Sequence, residues 1–498
     1  MGSRRFRTGA SGLRQQLGLI LLPLLAAVSF AASATAPAAA STPLPDGLEA
    51  HLHAYIATVN AGDAAAVRHF READMSESFA QNVPFDGLVD FFRGQRRVTG
   101  GLDFVEARLD PSNPGIVLLA VRDRIFGGVH GWRMPFEASD DHKLSMVETA
   151  GTPAWAISGA MPLSPQQVAG RVRQMIDRGC EVGVFSGAVL VARGEKVLVE
   201  EACGEATRRY HVRNTVDTRF NLASMNKMFT AVAVMQLVEQ GRVSLDDPLS
   251  KYVDQTWLPR EVSDRITIKQ LLTHTSGLGS FEMALRNAPR DAFREVDDYK
   301  PLVRSEKPRF PPGTAYHYSD TGMLLLGAVI EKASAETYFD YVRRHIFQPS
   351  GMADTDSYSL DEPVERIAMG YTPAPDESNA WRENTLMNLM RGCPAGGGYS
   401  TVGDLFRFAR SLQAGKLVSA ASLQTLWADN PPHDYGAGFE IQDSAAGRLV
   451  GHSGFDRGVS TQLKIYLDKG YVVAVLSNIE RGAPTLAEAI SNEVARSH

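Results

Sequence analysis

The stretch from Ser224 to Gly241 (SMNKMFTAVAVMQLVEQG) limits what this chain can fold into more than any other. It reads as a helix that is apolar on nearly every side, with Gly241 as its C-terminal stop. Such a helix cannot lie on a surface and has to run through a domain, covered all round. Lys227 stands one turn inside it, and a buried ammonium needs partners. The chain must therefore build a large core around this helix and place polar groups beside its start. At 498 residues it is long enough to do so, with room for two or three domains of roughly 150 residues. A hydrophobic share of 44% and a charged share of 22% are those of a globular protein, not of a disordered or collagen-like chain. The net charge of −6 carries no basic field, which excludes a nucleic-acid partner.

The two ends of the chain differ in kind. Arg4, Arg5, Arg7 and Arg14 precede an apolar run from Leu17 to Val28, followed by Ala32-Ser33-Ala34 and Ala34-Thr35-Ala36. A basic start, a short apolar run and small-x-small sites make residues 1–36 a secretory signal peptide, so a secreted or periplasmic protein is expected. The run is too short for a comfortable membrane span of about 20 residues, so no span is expected after cleavage. Residues 37–46 (PAAASTPLPD) read as a linker. Three cysteines, Cys180, Cys203 and Cys393, allow at most one internal disulfide with one thiol left over.

Residues 47–155 read as a small α+β domain. Leu48, Leu52, Tyr55, Ile56 and Val59 form one helix face, Gly62 ends it, and Asp63 caps a second helix through Phe70. Phe85 to Phe92 is a further helical stretch. The period then changes to two over Leu102–Phe104, Ile116–Val121, Trp132–Phe136 and Leu144–Val147, with turns expected at Asn113-Pro114-Gly115 and Asp140-Asp141. Helices followed by an antiparallel meander resemble the cone-shaped domains of the nuclear-transport-factor superfamily. No catalytic set is apparent there, because His51 and His53 lie two apart on a helix and cannot share a metal. Packing or contact with a protein partner is its expected job.

Residues 165–498 form the second region. Ser164 caps a helix with Pro165 at its first position. Two hairpins follow the α+β logic: Val184–Val191 with Lys196–Ala202, and Gln462–Tyr466 with Tyr471–Leu476, the latter before a last helix from Thr485 to His498. A hairpin at each end of a helical region predicts one antiparallel sheet built from both termini, with helices around it.

Three motifs carry chemistry. Ser224 at a helix N-terminus lies where free N–H groups favour a developing oxyanion. Lys227 at i+3 can reach its hydroxyl, and desolvation favours the neutral amine that a general base requires. Tyr318, in Tyr316-His317-Tyr318-Ser319-Asp320 before a second apolar helix, is a candidate phenolic acid or base if an ammonium lowers its pKa. Gly451-His452-Ser453-Gly454 precedes the terminal strands, where glycine permits close backbone approach and His452 is a candidate carboxylate ligand or proton shuttle. His274 in THTSG reads as a loop histidine holding backbone groups.

In this order and spacing the motifs resemble the serine-hydrolase superfamily of penicillin-binding proteins, class C β-lactamases, D-amino-acid peptidases and esterases. That superfamily carries S-x-x-K, then Y-x-N, then K-T-G or H-x-G. Leu271–Gly277 (LLTHTSG), Ile346–Met352 (IFQPSGM) and Ala395–Thr401 (AGGGYST) extend the likeness. It implies an α+β fold, an antiparallel sheet flanked by helices beside an all-helical subdomain, with the site between them. By the same resemblance Ser224 is the acylated nucleophile, and Lys227 and Tyr318 form its proton-transfer network. His452, Ser453, Gly454 and Phe455 line the substrate strand, and the N–H groups of Ser224 and Phe455 make the oxyanion hole. No metal and no cofactor is implied, and the substrate is a small molecule or peptide: an ester, a D-amino-acid or peptidoglycan-type peptide, or a β-lactam. Two positions depart from the pattern. Asp320 replaces the usual Asn, and an ionised carboxylate accepts hydrogen bonds but cannot donate one to a substrate carbonyl. Beside Lys227 it favours the ammonium. His452 replaces the usual Lys. Asp320 motivates the alternative of a binding or sensor protein on the same scaffold, acylating but slow to turn over.

Overall fold

The computed structural model describes residues 43–498, apart from 140, 287, 375–379 and 431–433. The expected signal peptide and residues 37–42 of the linker lie outside them.

The helix that begins the argument is central in the fold. A 3-10 turn, Ala223–Met225, leads into helix Asn226–Glu239, whose residues are buried as far as Leu237. Phe229 meets Phe347 and Phe408 edge-on, at centroid distances of 5.0 and 4.8 Å. Beside it runs the second apolar helix, Asp320–Ser334, capped by Ser319.

Among the described residues a six-stranded antiparallel sheet runs in the order Glu440–Ser444, Gly447–Asp456, Val459–Tyr466, Tyr471–Ser477, Gly187–Arg193, Lys196–Cys203. The strand ending the chain's last hairpin pairs with the strand of the first, Tyr471 opposite Arg193 and Ser477 opposite Gly187. Both termini thus build one sheet, as the two hairpins predict. Alternation then sorts the side chains. Val189, Val191, Val473 and Val475 pack under helices Pro165–Glu181 and Gly482–Ala495. Leu190, Ala192, Val472, Ala474 and Leu476 join the core of the nucleophile helix. Because both faces are covered, the central pair of strands, Tyr471–Ser477 and Gly187–Arg193, is an almost continuous apolar run.

Cys180 and Cys203 are joined by a disulfide, and Cys393 is buried as a free thiol. That bond ties helix Pro165–Glu181 to the outer strand Lys196–Cys203.

The N-terminal residues pack around a separate apolar cluster that includes Tyr55, Phe70, Phe92 and Trp132. Helices Leu48–Ala61, Ala64–Ala73, Glu77–Asn82 and Phe85–Thr99 precede a meander of Leu102–Asp110, Asn113–Asp123, Val129–Pro135 and Glu148–Ala150. Three local readings need correction. Asn113-Pro114-Gly115 begins a strand, and the chain turns just before it, where the Asp110 carboxylate accepts from Ser112 N–H at 2.8 Å and Ser112 Oγ at 2.7 Å. The fourth strand is Glu148–Ala150 and not Leu144–Val147, because Leu144 turns inward to bridge Met75 and Phe136. The last helix of the chain is Gly482–Ala495, starting earlier and ending sooner than Thr485–His498.

The N-terminal residues dock on that last helix. Val129 N–H donates to Asn492 Oδ1 at 2.6 Å, and Thr152 Oγ1 donates to Glu488 Oε1 at 2.6 Å. Among the described residues, no helix is long and apolar enough to cross a membrane.

Candidate active site

Ser224 stands on a strained turn. Ala223 before it has a left-handed backbone, φ 45°, a conformation that costs a non-glycine residue energy and persists only when its surroundings enforce it. Those surroundings are close contacts. A Cβ on Gly454 would lie 2.1 Å from Leu222 O, so that position requires glycine, and one on Gly398 would lie 2.7 Å from the Asn226 side-chain Oδ1. The turn is thereby clamped between strand Gly447–Asp456 and the AGGGYST segment. Thr461 Oγ1 adds a bond to Leu222 O at 3.1 Å.

Lys227 is fully buried, and its Nζ donates three hydrogen bonds: to Ser224 Oγ at 3.0 Å, Asp320 Oδ1 at 2.8 Å and Ala395 O at 2.6 Å. An ammonium has three N–H groups, so in its charged form every one is used. Asp320 Oδ2 accepts in turn from Ser280 Oγ at 2.9 Å. Neither Ala395 O nor Ser280 is foreseeable from a motif as a site group. Ala395 lies in the glycine-rich stretch that sequence reading marks, but only the fold shows its carbonyl facing the amine.

Tyr318 bonds to the Ser224 side chain, and Lys227 Nζ lies 4.8 Å from its ring centre. The ammonium does not lower this phenol as expected. Burial pushes the hydroxyl well above the ordinary phenol value, and the Asp320 charge adds to the rise. Near neutral pH Tyr318 therefore keeps its proton, which makes it a hydrogen-bond donor in the resting site.

His452 also departs from expectation. Its ring is buried, with Nε2 3.0 Å from the Tyr435 hydroxyl and Nδ1 2.5 Å from Ser453 O. Burial lowers its pKa below the ordinary value, although Glu440, 3.5 Å from Nδ1, opposes the change. A neutral imidazole with Nδ1–H toward the carbonyl and Nε2 accepting from the phenol satisfies both contacts. No N–H is left to hold a substrate carboxylate. Glu440 also accepts from Ser453, at 3.0 Å from its N–H and 2.5 Å from its Oγ. Tyr435 and Glu440 carry no motif signal, and only strand pairing and loop packing bring them here.

His274 is fully buried between the rings of Tyr318 and Tyr435, at 4.4 and 4.5 Å, and its Nδ1 accepts from Ser319 N–H at 3.2 Å. Burial holds it well below the ordinary histidine value. It thus ties the LLTHTSG loop to the cap of helix Asp320–Ser334. Ser224, Lys227, Tyr318 and Asp320 are joined by direct contacts, and strand Gly447–Asp456, which carries His452, Ser453, Gly454 and Phe455, packs through Gly454 on the turn before Ser224. Among the described residues no group of His, Cys, Asp and Glu is arranged to hold a metal.

A serine on a strained turn, touched by a buried lysine and a tyrosine between a sheet and a helical lobe, is the architecture of an active-serine hydrolase. The chain belongs to the Beta-lactamase family, whose model matches residues 169–495. It is 32% identical over 318 residues to "Penicillin-binding protein 4*" of Bacillus subtilis (strain 168), covering 59% of this chain and 68% of that protein. It is 30% identical over 247 residues to "Esterase EstB" of Burkholderia gladioli, covering 47% of this chain and 62% of that protein. Its fold is similar to the crystal structure of a penicillin-binding protein from Bacillus halodurans, with a TM-score of 0.58 and 30% identity. That likeness covers 66% of this chain and 99% of the other.

Proposed function

We propose that this serine hydrolase is exported and works through an acyl-enzyme on Ser224, taking an ester or a D-amino-acid or peptidoglycan-type peptide, with β-lactams as weak substrates. The contact of Lys227 Nζ with Ser224 Oγ at 3.0 Å carries the reading. In the ammonium form Lys227 has no lone pair for the serine proton. Passing one proton to Asp320, 2.8 Å away, leaves a neutral amine beside Ser224. Lys227 then takes the Oγ proton as Oγ bonds to the acyl carbon, and the carbonyl oxygen becomes an oxyanion facing the N–H groups of Ser224 and Phe455. Collapse breaks the bond to the leaving group, which receives a proton through Lys227 and Tyr318. Water, giving a proton to Lys227, then bonds to the acyl carbon, the bond to Ser224 Oγ breaks, Oγ takes that proton back from Lys227, and the acid leaves. The Arg-rich apolar start of the chain supports export, and so does the Cys180–Cys203 bond, since disulfides persist in oxidising compartments.

The Lys227–Asp320 pair favours a second reading, in which acylation occurs and turnover is slow. Intact mass after exposure to a fluorophosphonate, a penicillin and a p-nitrophenyl ester tests both. Adducts that vanish in Ser224→Ala, with steady ester turnover, are expected. Adducts without turnover favour the slow acyl-binding protein, and no adduct with any reagent overturns the Ser224 assignment.

A further inference from the structure

The N-terminal residues reach the site through one arginine. Arg481 has a left-handed backbone, φ 65°, at the start of helix Gly482–Ala495. Its guanidinium lies over the Phe455 ring, 5.4 Å from the ring centre. It also meets Gly94 of helix Phe85–Thr99, where a Cβ would stand 3.4 Å from Arg481 Nε and 3.5 Å from Cδ. The carboxylates of Asp90, on the same helix, and of Glu480 attract it, while the Arg97 guanidinium of that helix repels it. The loop carrying Arg481 is also bonded to the residue opposite Phe455. Ser460 pairs with Phe455 across the strands, donates from Oγ to Ile479 O at 2.9 Å, and accepts from Ala483 N–H at 3.0 Å.

We propose that Arg481 is a positioning residue for the hydrolytic reaction, held by the N-terminal helix Phe85–Thr99 against Phe455 so that this strand end keeps its place beside Ser224. The inference rests on the acyl-enzyme reading, in which the Phe455 N–H faces the oxyanion. An oxyanion donor acts mainly in the transition state, and small displacements of such a group are costly. Loosening Phe455 therefore lowers kcat more than it raises KM. The N-terminal residues become part of the catalytic apparatus through packing, without touching substrate.

The test uses the full chain and two substitutions that approach the contact from opposite sides. Arg481→Ala removes the guanidinium. Gly94→Leu pushes on it from the N-terminal helix while replacing a glycine that disfavours the helix. Both are expected to lower kcat for a p-nitrophenyl ester by about tenfold or more, with KM changed by less than about threefold. Arg481→Lys, which keeps a cation over the ring, is expected to recover much of the loss. Both variants should also speed amide hydrogen exchange in the peptide spanning 447–456. Folded variants with wild-type kcat and unchanged exchange overturn the proposal, as does a loss confined to KM. If the wild-type chain forms no Ser224-dependent adduct, the acyl-enzyme reading fails, and exchange alone decides whether Gly94 and Arg481 hold Phe455.

Discussion

Asp320 is the residue on which the chemistry turns. The Asn usual at this position donates from its amide, whereas Asp320 engages Lys227 and Ser280 with its two oxygens. Asp320→Asn should remove the carboxylate that pairs with Lys227 and supply a donor for a substrate carbonyl. Acylation by an amide or a penicillin is expected to rise on the order of tenfold, a fraction of the roughly 100-fold or more that a complete acid–base group contributes. Stopped-flow acylation of the variant checks this, and no increase would show that Asp320 is not the brake. Ser224 and Lys227 are legible in the sequence because helical spacing puts i and i+3 side by side, and Tyr318 because it stands just before the second apolar helix. The state of His452 is not legible, since it depends on Tyr435 and Glu440, which no local pattern links to it.

At the scale of elements, periodicity does well where a segment is buried on one face or on both. The nucleophile helix, helix Pro165–Glu181 and both hairpins of the main sheet are foreseeable. The errors fall where a local polar group decides the boundary. The Asp110–Ser112 bonds move a turn to before Asn113, and the Ser76 cap starts a short helix, Glu77–Asn82, that periodicity passes over. Which cysteines pair is decided by two elements meeting, since Cys180 and Cys203 are 23 residues apart on a helix and a strand. Closing a loop of that length constrains the unfolded chain by about 3 kcal/mol. Cys203→Ser should lower stability by roughly that amount in denaturant titrations under non-reducing conditions. An equal loss in wild type on adding reductant would assign it to the bond.

Across the whole molecule, the buried pair Lys464–Glu488 joins sheet, last helix and N-terminal residues at one point. Lys464 Nζ lies 2.9 Å from Glu488 Oε2, and Thr152 donates to the same carboxylate. Burial alone would raise the Glu488 pKa, but Lys464 and Thr152 outweigh it and hold the carboxyl at about 2. Its folded value thus lies below the ordinary 4.5, so its contribution is fully present above about pH 4.5 and is lost as pH falls toward 2. Lys464→Met leaves a buried carboxylate without its ammonium and should cost about 3 to 5 kcal/mol at pH 7. The cost should shrink below pH 4.5. Denaturant midpoints at pH 7 and pH 3.5 measure it, and a pH-independent loss would mean that packing, not charge, is at stake.

The sequence by itself determined the buried helix, its serine and lysine, the tyrosine ahead of the second helix, and a sheet closed from both ends of the hydrolase region. These follow from spacing within an element and from the need to cover an apolar surface, which are properties of short stretches. Only the tertiary structure decided that Tyr435 and Glu440 engage His452, that Ala395 O faces Lys227, and that Gly94 leans on Arg481 above Phe455. Each of these joins residues far apart in the chain, and their meeting depends on how the sheet, the helical lobe and the N-terminal residues pack together.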